Sequence, residues 1–324
     1  MRAIIPVAGV GSRLRPHTYT LPKVLLNVAG KPIIGHIMDK LIETGVESAT
    51  VVIGYMGDMI QEYITSNYDL HVDFVEQEER LGLGHSIYIA RHTLPMEPVL
   101  IILGDTIFDV DLVPVLNQKE SALGVKLVND PRRFGIAEVD KGYITNLVEK
   151  PENPTSNLAI VGLYYITNTP LLIESLAWLV TENIRTKNEY QLTDALQLMI
   201  NKGERIRTFP IEGWYDCGKP ETLLETNRHL LDKCPSQPTH DGVVVIPPVF
   251  ISKKCTLSHS VIGPYATIAD GTVVRDSIIR NSIISEDAQV QGALLENSIV
   301  GNNAIVHGNW KRINVGDSSE IDFS

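Results

Sequence analysis

The 324-residue sequence has few cysteines, a deficit of positive charge and no long apolar run. Cys217, Cys234 and Cys255 have the spacing of neither a metal site nor a disulfide framework, which predicts a reducing, cytoplasmic location. Lys and Arg number 28 against 39 Asp and Glu, and the net charge of −11 argues against nucleic acid or an anionic membrane as a partner. No apolar run approaches the ~20 residues of a membrane span. The first residues break at Pro6, which predicts a strand rather than a signal peptide.

From residue 1 to about 232, short apolar runs alternate with amphipathic segments. Four of the runs are predicted to be buried strands: Ala3–Val7, Ala49–Gly54, Val72–Val75 and Val99–Leu103. Three intervening segments have apolar residues at helical spacing: Pro32–Thr44, Met56–Ser66 and Gly84–His92. Strand, helix and strand in this order predict a parallel sheet covered on both faces, with a binding site beyond the carboxyl ends of its strands.

Later apolar runs are predicted to extend this sheet with antiparallel or mixed strands. They are Ala122–Val128, Ile136–Val139, Tyr143–Glu149 and Ala159–Ile166. The predicted fold class of residues 1–232 is therefore α/β and Rossmann-like, with a mostly parallel, mixed sheet.

The spacing of apolar residues changes after the prolines of residues 235–238. Branched apolar residues then recur every five or six positions, at Ile251, Leu257, Ile262, Ile268, Val274, Ile279, Ile284, Val290, Leu295, Val300 and Val306. This period, with three units to a coil, is typical of a parallel β-helix, whereas an antiparallel sandwich would alternate with period two. The sequence thus predicts a linker over residues 233–242 and a β-helix domain over residues 243–324.

A cationic, glycine-containing loop follows the first predicted strand. Gly9 and Gly11 let backbone amides approach an anion closely. Arg13 can clamp a phosphate with two hydrogen bonds, and Lys23 follows a rigid Leu-Pro pair. The loop lacks the third glycine of a dinucleotide fingerprint and the Gly-Lys-Ser/Thr of a P-loop. The residues alone leave open a polyphosphate-binding loop or a solvated basic turn.

With its flanks, this loop resembles the opening of the sugar-1-phosphate nucleotidylyltransferases. The matching segments are Ala8–Pro16 (AGVGSRLRP), Leu21–Leu25 (LPKVL) and Gly30–Ile33 (GKPI). The likeness is to the long-form glucose-1-phosphate thymidylyltransferases and to the UTP-glucose-1-phosphate uridylyltransferases. Many members have Gly-Gly where this chain has Ala8-Gly9, and Ala-Ala-Gly occurs among the uridylyltransferases. This departure leaves the choice between dTTP and UTP open.

Further motifs of this family follow in the same order up to residue 232. They are Gln77 with Gly82, Leu103–Asp105, Phe134–Ile136, Glu149–Pro151, Ser156–Tyr164, Glu189–Asp194 and Trp214–Gly218. An ordered set of this length is highly specific, and the resemblance implies a nucleotidyltransferase domain over residues 1–232. A left-handed β-helix tail occurs in several branches of the family, which adds a handedness to the predicted β-helix.

The resemblance also implies a role for each matching residue. Arg13 and Lys23 are the expected catalytic residues, and Asp105 and Asp216 are expected to hold Mg²⁺. The residues expected to bind the nucleotide are Ala8, Gly9, Gly11, Ser12, Gln77 and Gly82. Those expected to bind the sugar phosphate are Gly135, Glu149, Lys150, Asn157, Val161 and Tyr164. The implied reaction transfers a nucleotidyl group from dTTP or UTP to a sugar-1-phosphate, glucose-1-phosphate by resemblance, and releases pyrophosphate.

Two other functions stay open at this point. The first is a regulatory subunit that binds a sugar nucleotide without turnover, although such a protein would be expected to lose Arg13, Lys23 or one of the two aspartates. The second is a bifunctional enzyme with acyl-transfer activity in the β-helix, for which His307 would be the candidate base. A homo-oligomer is expected, because the flat faces of a β-helix bury well against a second copy.

Overall fold

The computed structural model describes residues 1–233 and 240–308. Its contacts divide the chain into two units: Met1–Leu26 with Lys31–Thr226, and Asn27–Gly30 with the chain from Asn227 onwards. Most of the predicted linker over 233–242, and the chain after residue 308, lie outside the described residues. Within the described ranges, no helix is long and apolar enough to cross a membrane.

The chain up to residue 232 alternates strands and helices. They are β1 (Arg2–Pro6), β2 (Asn27–Val28), β3 (Lys31–Pro32), α1 (Ile33–Glu43), β4 (Ser48–Ile53), α2 (Gly57–Asn67), β5 (His71–Glu76), α3 (Leu83–Ile89), β6 (Val99–Ile102), β7 (Thr106–Asp109), α4 (Val113–Leu116), β8 (Ser121–Leu127), β9 (Gly135–Asp140), β10 (Tyr143–Glu149), β11 (Leu158–Ile166), α5 (Thr169–Thr181), α6 (Leu192–Asn201), β12 (Ile206–Pro210), β13 (Gly213–Asp216) and α7 (Pro220–Asp232).

A nine-stranded mixed sheet forms the centre of the first unit, in the order β5-β4-β1-β6-β11-β8-β12-β10-β9. β5, β4, β1 and β6 run parallel, β11 is antiparallel to β6 and β8, and β12 is parallel to β8. The prediction of an α/β fold with a mixed sheet is confirmed, and each predicted strand forms within a residue or two of its expected bounds. The sheet is not mostly parallel as predicted, because five of its nine strand pairings are antiparallel. The elements that were not predicted are β2, β3, β7, β12, β13 and helices α4 to α7.

Burial explains why these segments form central strands. Ala3, Ile4 and Ile5 of β1 are fully buried, as expected for a strand with both neighbours parallel and both faces covered. On α1, Ile34, Met38 and Leu41 recur at helical spacing and are also fully buried.

The carboxyl end of β6 leads directly into a tight turn at Gly104. A Cβ atom at this glycine would lie 2.2 Å from Val7 Cγ1. A larger residue would therefore clash with Val7, and glycine lets this turn lie close to the end of β1. Asp105 is therefore placed at the carboxyl edge of the parallel strands, where a binding site is expected.

After Asn227, the described part of the second unit forms twelve short strands in addition to β2. They are β14 (Val243–Val245), β15 (Val249–Ile251), β16 (Thr256–Ser258), β17 (Ser260–Ile262), β18 (Ala266–Ile268), β19 (Val273–Arg275), β20 (Ile278–Arg280), β21 (Ile283–Ile284), β22 (Gln289–Gln291), β23 (Leu294–Glu296), β24 (Ile299–Val300) and β25 (Ile305–His307).

Each of the first nine of these strands pairs in parallel with the strand three places further along. Three four-stranded sheets result: β14-β17-β20-β23, β15-β18-β21-β24 and β16-β19-β22-β25. Ile262 and Ile279 lie side by side on adjacent strands and are fully buried, as are Ile268 and Ile284. The period of five or six residues predicted this stacking, and the three parallel sheets are consistent with a β-helix.

The outer faces of these sheets differ. On the β15 sheet, Thr267 is fully buried and donates to Asn227 Oδ1 (2.7 Å), which also accepts from the backbone N–H of Ala29 (2.8 Å). On the β14 sheet, Val244 and Leu294 are 59% and 72% exposed. The segment Asn27–Gly30 therefore covers part of the second unit rather than belonging to the first.

Candidate functional site

A cavity of about 670 Å³ opens at the carboxyl edge of the sheet of the first unit. It brings together eight residues that the sequence assigned to a site: Arg13, Asp105, Gly135, Glu149, Lys150, Val161, Tyr164 and Asp216. These residues are spread over more than two hundred positions, so the sequence itself could not show that they meet. The cavity is lined by both cations and carboxylates, which suits an anionic ligand and a divalent ion together.

The loop after β1 folds so that Arg13 faces this cavity. Gly11 has φ +65°, and its carbonyl accepts a hydrogen bond from Thr18 Oγ1 at 2.9 Å. A single 3₁₀ turn, Ser12–Leu14, follows and buries Leu14, which leaves Arg13 exposed beside the cavity. A Cβ atom on Gly11 would lie 2.9 Å from Lys23 Cβ, so the glycine lets the loop pack against Lys23.

Lys23 is buried beneath the cavity and forms an ion pair with Asp105. Its Nζ lies 2.7 Å from Asp105 Oδ2, and only 7% of the residue is exposed. Burial pushes the pKa of Asp105 upward, but the charge and hydrogen bond of Lys23 outweigh that effect, so the pKa lies below its ordinary value. Asp105 is therefore ionised near neutral pH, as a metal ligand must be.

Asp105 immediately precedes β7, which forms a two-stranded antiparallel sheet with β13, the strand that ends at Asp216. Asp216 is paired with Thr106, and the N–H of Cys217 donates to the carbonyl of Asp105 at 3.0 Å. A Cβ atom on Gly218 would lie 2.7 Å from both Arg13 Nη2 and Asp216 Oδ1, so the guanidinium and the carboxylate approach the same glycine. The site thus combines two carboxylates with a cation.

These two carboxylates fit a magnesium ion better than a transition metal. The described ranges hold no group of three or more His, Cys, Asp and Glu side chains that could enclose a metal. Mg²⁺ needs only one or two carboxylates, because it keeps several waters and takes further oxygens from bound phosphates.

The opposite part of the cavity is built by β9 and β10. Gly135 and Glu149 are paired across the two strands, and a Cβ atom at Gly135 would lie 3.0 Å from Glu149 Oε2. Thr193 Oγ1 donates to that oxygen at 2.7 Å, and Lys150 Nζ lies 3.3 Å from Glu149 Oε1. Both oxygens of a largely buried carboxylate are thus held in place, so Glu149 can present an acceptor of fixed direction.

The irregular part of β11 also lines the cavity. The pairing with β8 is irregular between Ile160 and Tyr164, and Gly162 within it has φ +85°. Val161 and Tyr164 line the cavity, and burial, then the charges of Glu149 and Asp105, raise the pKa of Tyr164. The phenol therefore stays protonated. Asn157, before β11, is exposed and is not a lining residue of the cavity.

Gln77 and Gly82 lie together before and at the start of α3. Gln77 is 6% exposed, and its Nε2 lies 3.3 Å from the carbonyl of Gly82 and 3.1 Å from His85 Nδ1. The next residue, Leu83, lines the cavity. Ala8, at the start of the loop after β1, packs against Gly54, where an added Cβ atom would lie 3.1 Å from the Cα and Cβ atoms of Ala8.

The sequence did not single out several residues of the cavity wall. They are Leu83, Leu103, Thr106, Arg132, Arg133, Phe134, Ile160, Gly162, Glu189, Gln191, Thr193 and Trp214. Most lie inside or next to the motifs already quoted, so position in a motif was the available signal. Thr193 lies in the segment Glu189–Asp194, yet nothing in the sequence points to its contact with Glu149.

Cations and two carboxylates at the edge of a mixed α/β sheet suit a phosphate ester bound together with a divalent ion. Residues 2–233 match the family described as nucleotidyl transferase, and the chain belongs to that family.

Individual members of this family and a solved structure can be compared with the chain. A glucose-1-phosphate thymidylyltransferase from Streptomyces griseus is 31% identical over 90% of this chain and 89% of its own length. The UTP–glucose-1-phosphate uridylyltransferase AglF of Haloferax volcanii is 33% identical over 72% of this chain and 98% of its own. A solved UDP-glucose pyrophosphorylase, in complex with UDP-glucose, superimposes with a TM-score of 0.62 at 26% identity, over 72% of this chain and 99% of its own.

Proposed function

We propose that this protein transfers a nucleotidyl group from dTTP or UTP to a sugar-1-phosphate, with glucose-1-phosphate as the acceptor, and releases pyrophosphate. The observation that carries the proposal is the meeting of Arg13, Lys150, Asp105 and Asp216 in one cavity. The names of the relatives support the same reaction and leave the base undecided, because they include both a thymidylyltransferase and a uridylyltransferase.

The reaction requires no general base. An oxygen of the sugar phosphate, already ionised at neutral pH, forms a bond to the α-phosphorus while the bond from that phosphorus to the bridging oxygen of pyrophosphate breaks. The barrier comes from bringing two anions together in line, so positioning and electrostatic stabilisation account for catalysis.

Different residues of the cavity position the substrates and stabilise the charges that develop in the reaction. Arg13 and the amides of residues 9–12 hold the β- and γ-phosphates and stabilise the leaving pyrophosphate. Lys150 holds the sugar phosphate. Lys23 acts beside the α-phosphate and keeps Asp105 ionised (Nζ···Oδ2 2.7 Å). A magnesium ion on Asp105 and Asp216 would supply positive charge to the triphosphate.

The sugar and the base occupy opposite parts of the site in this proposal. Glu149, with both oxygens held by Thr193 and Lys150, accepts a hydrogen bond from a sugar hydroxyl. Gly135, Val161 and Tyr164 complete the sugar pocket, and Ala8, Gln77 and Gly82 contact the base. Asn157 does not line the cavity, so it has no part in this pocket as the structure stands.

The second unit has a separate role in the proposal. Its three parallel sheets support a β-helix. In the proposal this β-helix is left-handed, as in several branches of the family, and serves for assembly of a cytoplasmic homo-oligomer. The division into a catalytic domain over 1–232, a linker over 233–242 and a β-helix domain over 243–324 belongs to the same proposal.

The experiment is a matrix of four or five nucleoside triphosphates against several sugar-1-phosphates, with pyrophosphate release and the mass of the nucleotide sugar as readouts. We expect product with dTTP or UTP and glucose-1-phosphate, dependent on Mg²⁺. Binding of a nucleotide sugar without pyrophosphate release from any pair would instead establish a regulatory subunit.

A further inference from the structure

The side chain of Gln77 has only one possible orientation. Its Nε2 lies 3.3 Å from the carbonyl oxygen of Gly82, which can only accept a hydrogen bond. Turning the amide over would place Oε1 against that oxygen, and two acceptors repel each other. Nε2 therefore faces Gly82.

The same nitrogen also faces His85. Gln77 Nε2 lies 3.1 Å from His85 Nδ1, and an amide nitrogen has no lone pair to offer, so it must be the donor. Nδ1 must then be the acceptor, which puts the ring proton of a neutral His85 on Nε2. Both hydrogens of the Gln77 amide are thereby used, one by Gly82 and one by His85. Only the carbonyl oxygen Oε1 remains for a ligand.

The imidazole of His85 is itself held by a strap, residues 189–191. It stacks on Tyr190 with ring centroids 6.1 Å apart and an angle of 27° between planes. Backbone hydrogen bonds join Gly84 N–H to the Tyr190 carbonyl (2.8 Å) and Tyr190 N–H to the Leu81 carbonyl (2.7 Å). Cβ atoms at Gly82 and Gly84 would come within 2.8 Å of the strap, so the two glycines permit this contact.

We propose that His85 is a positioning residue for base recognition: its Nδ1 fixes the amide of Gln77 so that Oε1 alone reads the base. An acceptor at this point pairs with the ring N3–H of uracil or thymine and repels the unprotonated N3 of cytosine. The inference rests on the proposed function, in which Gln77 contacts the base of dTTP or UTP, and it adds the residue that directs the Gln77 amide toward that base.

The hydrogen bond from Gln77 to His85, which is the second restraint on the amide beside Gly82, holds only while Nδ1 of His85 is unprotonated. Burial lowers the pKa of His85; the nearby Glu79 raises it and Arg185 lowers it, and the net pKa is below the ordinary value. Glu189 and Tyr190 are the other titratable side chains in the strap packed against this loop. As the pH falls through the pKa of His85, Nδ1 gains a proton and can no longer accept from Gln77. The preference for uracil or thymine over cytosine therefore weakens on acidification.

Two variants separate this role from a structural one. His85→Phe keeps a ring for Tyr190 and removes the acceptor, whereas the side-chain oxygen of His85→Asn can occupy the place of Nδ1 and does not titrate. The readout is kcat/KM for UTP over CTP, or for dTTP over dCTP if dTTP is the better substrate. We expect this ratio to fall about tenfold in His85→Phe, the effect of one misdirected hydrogen bond, and to return to within threefold of wild type in His85→Asn.

The pH profile gives a second measurement that does not need His85→Phe to fold. As the pH is lowered from 8 through the pKa of His85, the ratio should fall in the wild type and stay flat in His85→Asn. A ratio in His85→Phe within twofold of wild type, or parallel pH profiles for wild type and His85→Asn, would overturn the inference. Failure of the proposed function looks different, because the wild type would then release no pyrophosphate with any triphosphate.

Discussion

Buried polar side chains serve different ends in the two units of this chain. In the first unit, Lys23 and Thr193 are buried and hold the carboxylates of Asp105 and Glu149 at the cavity. In the second, the buried Ser277 donates to the carbonyl of residue 275 (2.7 Å) and accepts from the N–H of residue 293 (3.1 Å). In the first unit, the buried polar side chains fix the positions of charged groups that can contact a ligand. In the second unit, they satisfy backbone carbonyl and N–H groups at the turns between strands.

The two units differ in this way because the polar contacts of the second unit repeat along the chain and those of the first unit do not. Ser260 and Ser282 make the same pair of contacts as Ser277, each donating to a carbonyl two residues back and accepting from an N–H on the next coil. These serine contacts recur at several places in the second unit and satisfy the backbone in the same way at each, whereas each polar group in the cavity occurs once. Function is therefore expected to depend on single residues in the first unit, and stability on columns of residues in the second.

The largest effect is expected from Arg13→Ala, which removes a cation from the cavity wall. The loss of one preorganised contact to the leaving pyrophosphate costs about 3–4 kcal/mol, so kcat/KM should fall at least ~100-fold while the midpoint of thermal unfolding is unchanged. Arg15→Ala is the matched control, because Arg15 lies two residues away with its guanidinium over the ring of Tyr19 (4.9 Å) and not in the cavity. If Arg15→Ala lowers kcat/KM as much as Arg13→Ala does, the activity depends on the total positive charge of the loop and not on the position of Arg13.

The next largest effect is expected from a substitution in the core of the second unit, which should lower stability rather than activity. Ile279 is fully buried between Ile262 and Leu295 of adjacent strands, so Ile279→Ala should lower the free energy of unfolding by about 3 kcal/mol. Leu294, 72% exposed one strand further on, is the control, and Leu294→Ala should stay within about 0.5 kcal/mol. Urea unfolding followed by circular dichroism measures both. A large loss from Leu294→Ala would show that its face is covered in solution.

A smaller effect, on substrate affinity, is expected from Thr193→Val. The isosteric change removes the donor to Glu149 Oε2, and hydrogen bonds to charged groups are worth about 1.5–3 kcal/mol, part of which bound solvent can replace. We expect KM for the sugar-1-phosphate to rise about tenfold with little change in KM for the triphosphate. Thr193→Ser should restore the wild-type value. An equal rise in both KM values would indicate a general disturbance of the cavity instead.

The two units also differ in how far their sequences predict them. The period of five or six residues predicted the buried columns at Ile262 and Ile279, because every coil repeats the same demand for an inward apolar side chain. In the first unit, apolar runs predicted the strands, but the strand order and the meeting of Asp105 with Asp216 depend on contacts between distant segments. Thr193 and Glu149 are 44 residues apart, and no local pattern marks such a pair.

The segment Asn27–Gly30 has a consequence for how the second unit can be studied. The chain enters this unit twice, and Gly30 packs so closely on Phe250 that a Cβ atom would lie 2.3 Å from its ring. A fragment cut at residue 227 would lack that segment, and the buried Asn227 would lose the Ala29 N–H that it accepts. The polypeptide is thus not divisible by a single cut, and transplanting its carboxyl-terminal part to another protein would require a four-residue graft from near the amino terminus as well.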